Sequence, residues 1–122
     1  LDQGIYRYLP LEHQLLFEFS EEDLDKKIRR AALGQKYPAE AAVTFIWTTI
    51  PYRMEWRYSI AAHKVIAIDA RHVCQSLYLA CEAIGAGTCA IAAYDQGGMD
   101  KLLRIDGQEE FTIYLASVGG KL

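Results

Sequence analysis

Residues 84–95 are the part of the chain whose residue types and spacing could do chemistry. The stretch reads Ile-Gly-Ala-Gly-Thr-Cys-Ala-Ile-Ala-Ala-Tyr-Asp, which predicts a helix that ends in glycine and a strand of very small residues. Small side chains leave the N–H and C=O groups of the backbone unshielded. The edge of a flat ligand could therefore approach the backbone and form hydrogen bonds with it. The alternative is a buried strand whose alanines pack under a helix.

Other reactive side chains give weaker signals. His72 lies within a predicted helix, next to Asp69 and Arg71, and a lone helical histidine is more often structural than catalytic. Cys89 has no partner nearby in the sequence that would make it a thiolate, which favours a packing role. The sequence has no Cys-x-x-Cys motif and no Cys/His spacing typical of a metal site, so no metal ligand is predicted.

Length and composition indicate one globular domain. The chain has 122 residues, of which 52% are hydrophobic and 24% charged, and its net charge is -3. A net negative charge gives no basic surface for nucleic acid, so the expected partner is a small molecule or a protein. The three cysteines lie in apolar surroundings and are odd in number, which favours buried, reduced thiols and a cytoplasmic location. Charged residues within the longest apolar stretch argue against a membrane span.

Hydrophobic periodicity predicts the element order β-β-α-β-α-α-β-α-β. Residues 20–23 read as a helix start capped by Ser20, and the continuous apolar run 42–50 reads as a central strand buried on both faces. An interruption is expected near Ser59. The predicted elements are a hairpin at 4–8 and 14–19, strands at 42–50, 88–93 and 111–118, and helices at 21–34, 52–60, 62–84 and 95–103.

The helix at 62–84 carries apolar side chains on nearly every face. Such a helix needs cover on two sides, and in a chain of this length one side can be the sheet and the other a second copy of the protein. The sequence therefore predicts an α+β fold with a long central apolar helix and a homodimer that forms around this helix.

Several motifs in the same order resemble those of the nitroreductase family of flavin enzymes. They are Trp56-Arg-Tyr, Asp69-Ala-Arg-His, and the stretch 75–95, which includes Gln-Ser-Leu-Tyr-Leu-Ala-Cys-Glu-Ala-Ile-Gly-Ala-Gly. The branch that the sequence resembles most is the SagB-type dehydrogenases. The resemblance implies a sheet sandwiched by helices, a homodimer that binds FMN at its interface, and hydride transfer linked to NAD(P)H or to a substrate.

The resemblance also implies which residues contact the cofactor ring. Ala90, Ile91, Ala92 and Ala93 match the family strand that runs along the flavin, and an N–H near Ala92 would point at flavin N5. A fixed amide dipole at that position orients the ring and stabilises charge that changes during hydride transfer. Family members commonly have glycine at positions matching Ala92 and Ala93, so this chain adds methyl groups where the ring would lie.

Three further site residues follow from the same resemblance. Arg57 and Tyr58 match a basic–tyrosine pair on the substrate side of the flavin, where a cation beside a phenol can assist proton transfer. The plainer alternative places Arg57 in solvent and packs Tyr58 on Trp56. Lys121 matches a basic residue that binds the FMN phosphate. A terminal lysine without a ligand is the alternative.

Two family segments have no match in this chain. They are an Arg-x-Ser-x-Arg-like helix that holds the FMN phosphate and a Ser-Gly-Gly-like segment that approaches the flavin. Residues 1–122 therefore resemble the C-terminal part of one nitroreductase-like domain. A longer protein, a partner chain that supplies the missing part, or a truncated gene product would each explain this.

The expected function is FMN-dependent hydride transfer to a small electrophile such as a nitroaromatic or a quinone, with NAD(P)H or a substrate ring as the donor. The alternative is a dimeric scaffold or binding domain that keeps the fold without flavin and catalyses no reaction.

Overall fold

The computed structural model describes residues 1–121, and it has the mixed α+β architecture that the sequence predicts. A hairpin and a three-stranded sheet provide the strands, and five helices connect them. The strands are β1 Ile5–Leu9, β2 Gln14–Phe19, β3 Val43–Thr49, β4 Ala86–Ile91 and β5 Phe111–Gly120. The helices are α1 Leu24–Ala31, α2 Tyr37–Glu40, α3 Tyr52–Tyr58, α4 Ala62–Ala83 and α5 Gln96–Leu102, with a 3₁₀ turn at Ser59–Ala61 between α3 and α4.

The order of strands in the sheet is β3-β5-β4, and both pairs are antiparallel. The prediction that the run 42–50 forms the central strand is wrong, because among residues 1–121 β3 pairs only with β5 and lies at an edge. Val43 and Phe45 on β3 are 46% and 41% exposed. The last strand, β5, is central instead. Its residues Leu115 and Ala116 are fully buried because neighbouring strands cover both of its edges and helices cover its faces.

An irregularity in the pairing of β3 with β5 sets which helices cover the last strand. The register shifts between Trp47 and Thr48, which leaves Ile113 without a paired residue on β3. Such a bulge changes the face on which the following side chains lie. Ile113 accordingly lines the start of α4, whereas Leu115 packs with α1 and α5. The hydrophobic core between the sheet and helices α1 and α5 contains Leu24, Ile28, Ala31, Ile91, Met99, Leu102 and Leu115.

Helix α1 is shorter than the sequence predicts. It begins at Leu24 and not after Ser20, because Asp23 at its N-terminus has φ 55° and breaks the helical path. The Glu21 carboxylate is engaged by Lys27 and Arg104, which holds the preceding residues outside the helix. At the other end the helix stops at Ala31.

The long helix α4 follows an interruption at Ser59, as the sequence predicts. Ser59 has φ 50° and begins the 3₁₀ turn that separates α3 from α4. One face of α4 is buried against the sheet, through Ala62, Ile66, Cys74 and Cys81. Val73 and Leu79 are nonetheless 49% and 65% exposed, so α4 also carries large apolar side chains that the sheet does not cover. Gly85, with φ 73°, turns the chain into β4. Within residues 1–121, no helix has the length and apolar character needed to cross a membrane.

Candidate functional site

The outer edge of β4 presents backbone donors to its surroundings. Alternate N–H groups of an extended strand point to opposite edges. The Ala90 N–H donates to Tyr78 Oη at 2.9 Å, so it points away from β5. Ala92 lies one residue beyond the end of β4, and within residues 1–121 its N–H forms no backbone hydrogen bond and has no paired position in the β4–β5 ladder. The alternation of an extended chain predicts that this N–H lies on the same outer edge as that of Ala90. The donor that the sequence predicts near Ala92 stays a prediction, and the unpaired N–H is compatible with it.

The four residues matched to the flavin strand differ in what they can contribute. Ala92 and Ala93 are exposed, and Ala90 is half-buried. Ile91 is buried in the core with Leu115, so it can contribute its backbone but not its side chain. The exposed surface at the end of β4 is therefore formed by two methyl groups and unshielded backbone.

The segment after β4 is fixed by hydrogen bonds from distant residues. Gln35 Nε2 donates to the Ala93 carbonyl at 2.7 Å, and the Asp95 N–H donates to the Ala31 carbonyl at 2.7 Å. The Tyr94 hydroxyl donates to a β5 carbonyl at 3.0 Å, and burial raises the pKa of Tyr94. The backbone around Ala92 is thus held before any ligand arrives. Gln35 gave no signal in the sequence, since nothing in the pattern relates position 35 to position 93.

A buried carboxylate anchors the helix that follows. Asp95 caps α5, as predicted, by accepting the Gly98 N–H at 2.8 Å. Asp100, within the helix, is almost fully buried. It accepts the Thr112 N–H at 2.7 Å and hydrogen bonds from Gln96 Nε2. Asp100 therefore attaches α5 to the start of β5, a role that the sequence did not reveal.

Arg57 and Tyr58 contact each other on α3. The Arg57 guanidinium carbon lies 5.3 Å from the centre of the Tyr58 ring, the geometry of a cation–π pair. Arg57 is exposed and Tyr58 is half-buried. Within residues 1–121, no hydrogen bond, ion pair or ring contact joins this pair to residues 90–93. The two parts of the predicted site are therefore not joined by a polar or ring contact within the described residues.

A cavity of about 270 Å³ lies between the start of α4 and the start of β5. It adjoins Ser59, the residue after Tyr58, and it reaches Ile113, on the part of β5 that extends past the end of β4. Its walls are mostly apolar, with Glu55 and His63 as the charged or titratable groups. It is lined by Pro51, Glu55, Ser59, Ile60, Ala62, His63, Ile66, Phe111 and Ile113. A small apolar molecule could enter it.

Lys121 lies at the opposite end of β4 from Ala92. Gly120 pairs with Ala86, so Lys121 is adjacent to the first residues of β4. Ala92 is five positions after Gly87, which corresponds to roughly 17 Å along an extended chain. Lys121 Nζ is 2.7 Å from Glu82 Oε2, and this hydrogen bond and charge hold the pKa of Glu82 below its usual value. The residue predicted to bind phosphate is thus engaged by a carboxylate.

The remaining candidates behave largely as structural residues. Cys74 and Cys81 are buried, as predicted, and burial raises the pKa of the Cys74 thiol. The prediction that Cys89 is buried is wrong, because its side chain is exposed on the edge strand β4. His72 is exposed on α4. Among residues 1–121 there is no group of three or more side chains able to hold a metal ion.

Solved structures with this fold are similar over nearly the whole chain. A nitroreductase-like protein from Anabaena variabilis matches with a TM-score of 0.87 at 24% identity, over 100% of this chain and 25% of its own. The Escherichia coli microcin synthetase complex with truncated pro-MccB17 bound matches with a TM-score of 0.84 at 16% identity, over 96% of this chain and 44% of its own. An NAD(P)H:FMN oxidoreductase-like protein from Staphylococcus epidermidis matches with a TM-score of 0.67 at 13% identity, over 83% and 63%.

Sequence comparison identifies the family. A nitroreductase-like protein of Methanocaldococcus jannaschii is 25% identical over 122 residues, which are 100% of this chain and 60% of the relative. The chain thus spans less than two thirds of the length of that relative. The model of the nitroreductase family matches residues 2–120. The chain therefore belongs to the nitroreductase family.

Proposed function

We propose that the protein is an FMN-dependent oxidoreductase of the SagB-type branch. The observation that carries the proposal is the exposed backbone at the end of β4, where the Ala90 N–H points away from β5 and the small side chains of Ala92 and Ala93 are exposed. The proposal is also supported by family membership and by a structural neighbour named for NAD(P)H and FMN. When FMN is bound, its ring permits hydride transfer from NAD(P)H or a substrate to a small electrophile such as a nitroaromatic or quinone.

The residues at the end of β4 fit the edge of such a ring. The Ala92 N–H would donate to the ring, while Ala90 and Ile91 would supply backbone beside it. Gln35 and the hydrogen bonds of residues 93–95 hold this backbone in place, so little reorganisation is needed when charge develops in the ring. The methyl groups of Ala92 and Ala93 reduce the space that the flavin ring could occupy next to the backbone.

Lys121 would bind the phosphate of FMN at the other end of β4. Its ammonium is paired with Glu82, and both side chains are exposed, so the phosphate must displace the carboxylate. Exposed ion pairs contribute little net free energy, which makes such an exchange feasible. An alternative function, a scaffold domain without flavin, is favoured by this same ion pair, because Glu82 already neutralises the cation.

Arg57 and Tyr58 would serve the substrate side. The apolar cavity next to Ser59 offers room for a small aromatic substrate, and Tyr58 immediately precedes that residue. A tyrosine hydroxyl under the influence of a guanidinium could give or take the proton that accompanies hydride transfer.

A homodimer would complete the site. Trp56, Ile60 and Ile84 are more than three quarters exposed, although they are large and apolar. Burial of such side chains against a second subunit stabilises an interface. The part of the family fold that this chain does not match could cover the same residues, whether it belongs to the same protein or to a partner chain. A cytoplasmic location is part of this proposal.

The visible spectrum of the purified protein tests the function. We expect absorption bands of bound FMN that bleach on anaerobic addition of NADH or NADPH and return when a quinone is added. Protein that remains colourless after incubation with FMN and gel filtration would exclude the flavin function and favour the scaffold domain. Protein that binds FMN without being bleached by either nicotinamide would favour a substrate as the hydride donor.

A further inference from the structure

Tyr78 connects the long helix α4 to the outer edge of β4. Its phenol oxygen accepts the Ala90 N–H at 2.9 Å, and the residue is 37% exposed. A phenol that accepts one hydrogen bond still has its own proton to donate. Within residues 1–121, no protein group accepts this proton. Tyr78 therefore provides a second available donor beside the strand edge.

The two donors lie along the same edge. Ala90 and Ala92 are two residues apart, so their N–H groups are about 7 Å apart in an extended strand. The Tyr78 hydroxyl accepts the Ala90 N–H. The Ala92 N–H follows on the same edge if the extended backbone continues past Ile91. A planar heterocycle can carry several acceptor atoms along one edge. Such a ring could accept a hydrogen bond from one donor while the same edge extends to the other.

We propose that the Tyr78 hydroxyl is a hydrogen-bond donor to the flavin ring. This inference rests on the proposed function and extends it to a residue of α4. The Ala90 N–H holds the phenol oxygen in place, and the O–H is directed to an acceptor atom of the ring. A donor at that position stabilises the negative charge that the ring gains on reduction. Tyr78 therefore raises the midpoint potential of the bound flavin.

A purely structural role makes a different prediction. An edge strand needs its outward N–H groups satisfied, and Tyr78 could do no more than cap Ala90. In that case the loss of the hydroxyl would weaken binding of oxidised and reduced flavin by the same factor. The midpoint potential reports the ratio of these two affinities, so it would not change.

The test compares the wild type with Tyr78→Phe, and uses Tyr37→Phe as a control. Tyr37 is exposed, and its hydroxyl has no hydrogen-bond partner within residues 1–121. We expect Tyr78→Phe to bind FMN about two- to tenfold more weakly, the effect of one hydrogen bond. The same factor should appear with lumiflavin, which lacks the phosphate chain. The midpoint potential should shift to more negative values in Tyr78→Phe and not in Tyr37→Phe.

Each outcome decides between the alternatives. An unchanged midpoint potential in Tyr78→Phe would overturn the inference and leave the flavin function standing. A wild type that binds no FMN would overturn the proposed function itself, and this is visible without any variant. If Tyr78→Phe fails to fold by circular dichroism, 3-fluorotyrosine is placed at position 78. Because it is a stronger donor, the potential must rise, and an unchanged potential overturns the inference.

Discussion

The ammonium group of Lys121 lies 2.7 Å from the carboxylate of Glu82 and so joins the end of β5 to the end of α4. This contact lowers the pKa of Glu82, first through the hydrogen bond and then through the charge. Because the pKa of the folded state is depressed, the stabilisation is present above the ordinary value of 4.5 and is lost as pH falls through the folded value. At neutral pH the carboxylate therefore competes with any phosphate.

Removing that competitor should strengthen FMN binding. We expect Glu82→Gln to bind FMN about two- to fivefold more tightly, because an exposed ion pair of this kind is weak but must be broken. Riboflavin, which has no phosphate, should bind both proteins equally, and fluorescence titration measures both ligands. Lys121→Gln should weaken binding of FMN alone. The control is Glu22→Gln, an exposed carboxylate elsewhere. An equal gain for riboflavin would show that Lys121 does not contact the phosphate.

The methyl group of Ala92 should limit how closely a ring approaches. Ala92→Gly removes it, and we expect FMN to bind several-fold more tightly, with a loss of stability of roughly 0.5–1 kcal/mol from the added backbone freedom. Ala92→Val should weaken binding. Ala42→Gly, an exposed alanine before β3, controls for the effect of glycine on stability. If Ala92→Gly, Ala92→Val and Ala42→Gly all bound FMN with the affinity of the wild type, the flavin ring would not lie against Ala92.

Gln35 should matter for both stability and binding, although no ligand contact is assigned to it. Its amide donates to the carbonyls of Ala32 and Ala93. Gln35→Ala should lower the free energy of unfolding by about 1–2 kcal/mol, as expected for two hydrogen bonds, and should weaken FMN binding by loosening residues 92–95. Urea denaturation and FMN titration measure the two effects. The control, Gln108→Ala, removes an exposed amide. Full affinity in Gln35→Ala would show that the segment needs no such support.

Arg104 should anchor the hairpin to the body of the protein. Its guanidinium carbon lies 3.7 Å from the centre of the Phe19 ring, and Nη2 is 3.0 Å from Glu21 Oε1. Loss of the ring contact in Arg104→Gln should cost about 0.5–1 kcal/mol of unfolding free energy. Arg53→Gln, at an exposed position, should cost nothing measurable.

The pH dependence of Arg104→Gln provides a second check. Lys27 and then Arg104 lower the pKa of Glu21 below its ordinary value of 4.5. The loss of unfolding free energy in Arg104→Gln that comes from Glu21 should therefore be full above pH 4.5. It should decrease as pH falls through the pKa of Glu21 in the folded state. A deficit independent of pH would assign the whole effect to the ring of Phe19.

The cysteines should differ in their reactivity. Cys89 is exposed, whereas Cys74 and Cys81 are buried and burial raises the pKa of Cys74. A thiol reagent should therefore label one cysteine rapidly in native protein and all three in denaturant. Cys89→Ser should remove the rapid phase. If the rapid phase persisted in Cys89→Ser, or if the wild type showed none, the exposure of the cysteine side chains would differ from that in the structure.

Local patterns in the sequence predicted most of the fold. The hairpin, the break near Ser59, the long apolar helix and its glycine end all depend on neighbouring residues, and the structure contains each of them. The prediction failed for the place of β3 in the sheet. An apolar run indicates a strand but not its neighbours, and only the pairing of β5 with both β3 and β4 decides which strand is central.

The small side chains at the end of β4 could be read from the sequence. The hydrogen bonds that residues far away in the chain form with this segment could not. Small residues at the end of β4 indicated an accessible backbone, and Ala92 and Ala93 are exposed in the structure. Gln35 forms a hydrogen bond with Ala93 in the segment after β4, and Tyr78 of α4 forms one with Ala90 of β4. Gln35 is 58 positions from Ala93, so no local pattern could reveal the contact.

The amide signal of Ala92 gives the most direct test of the flavin site. In ¹⁵N-labelled protein, addition of FMN should shift this signal strongly and slow its hydrogen exchange, because the N–H gains a partner. The Ile91 N–H, on the alternate side that faces β5, should keep its exchange rate. FMN binding that leaves the Ala92 signal and its exchange unchanged, or no binding at all, would contradict the assignment of the β4 edge as the flavin site.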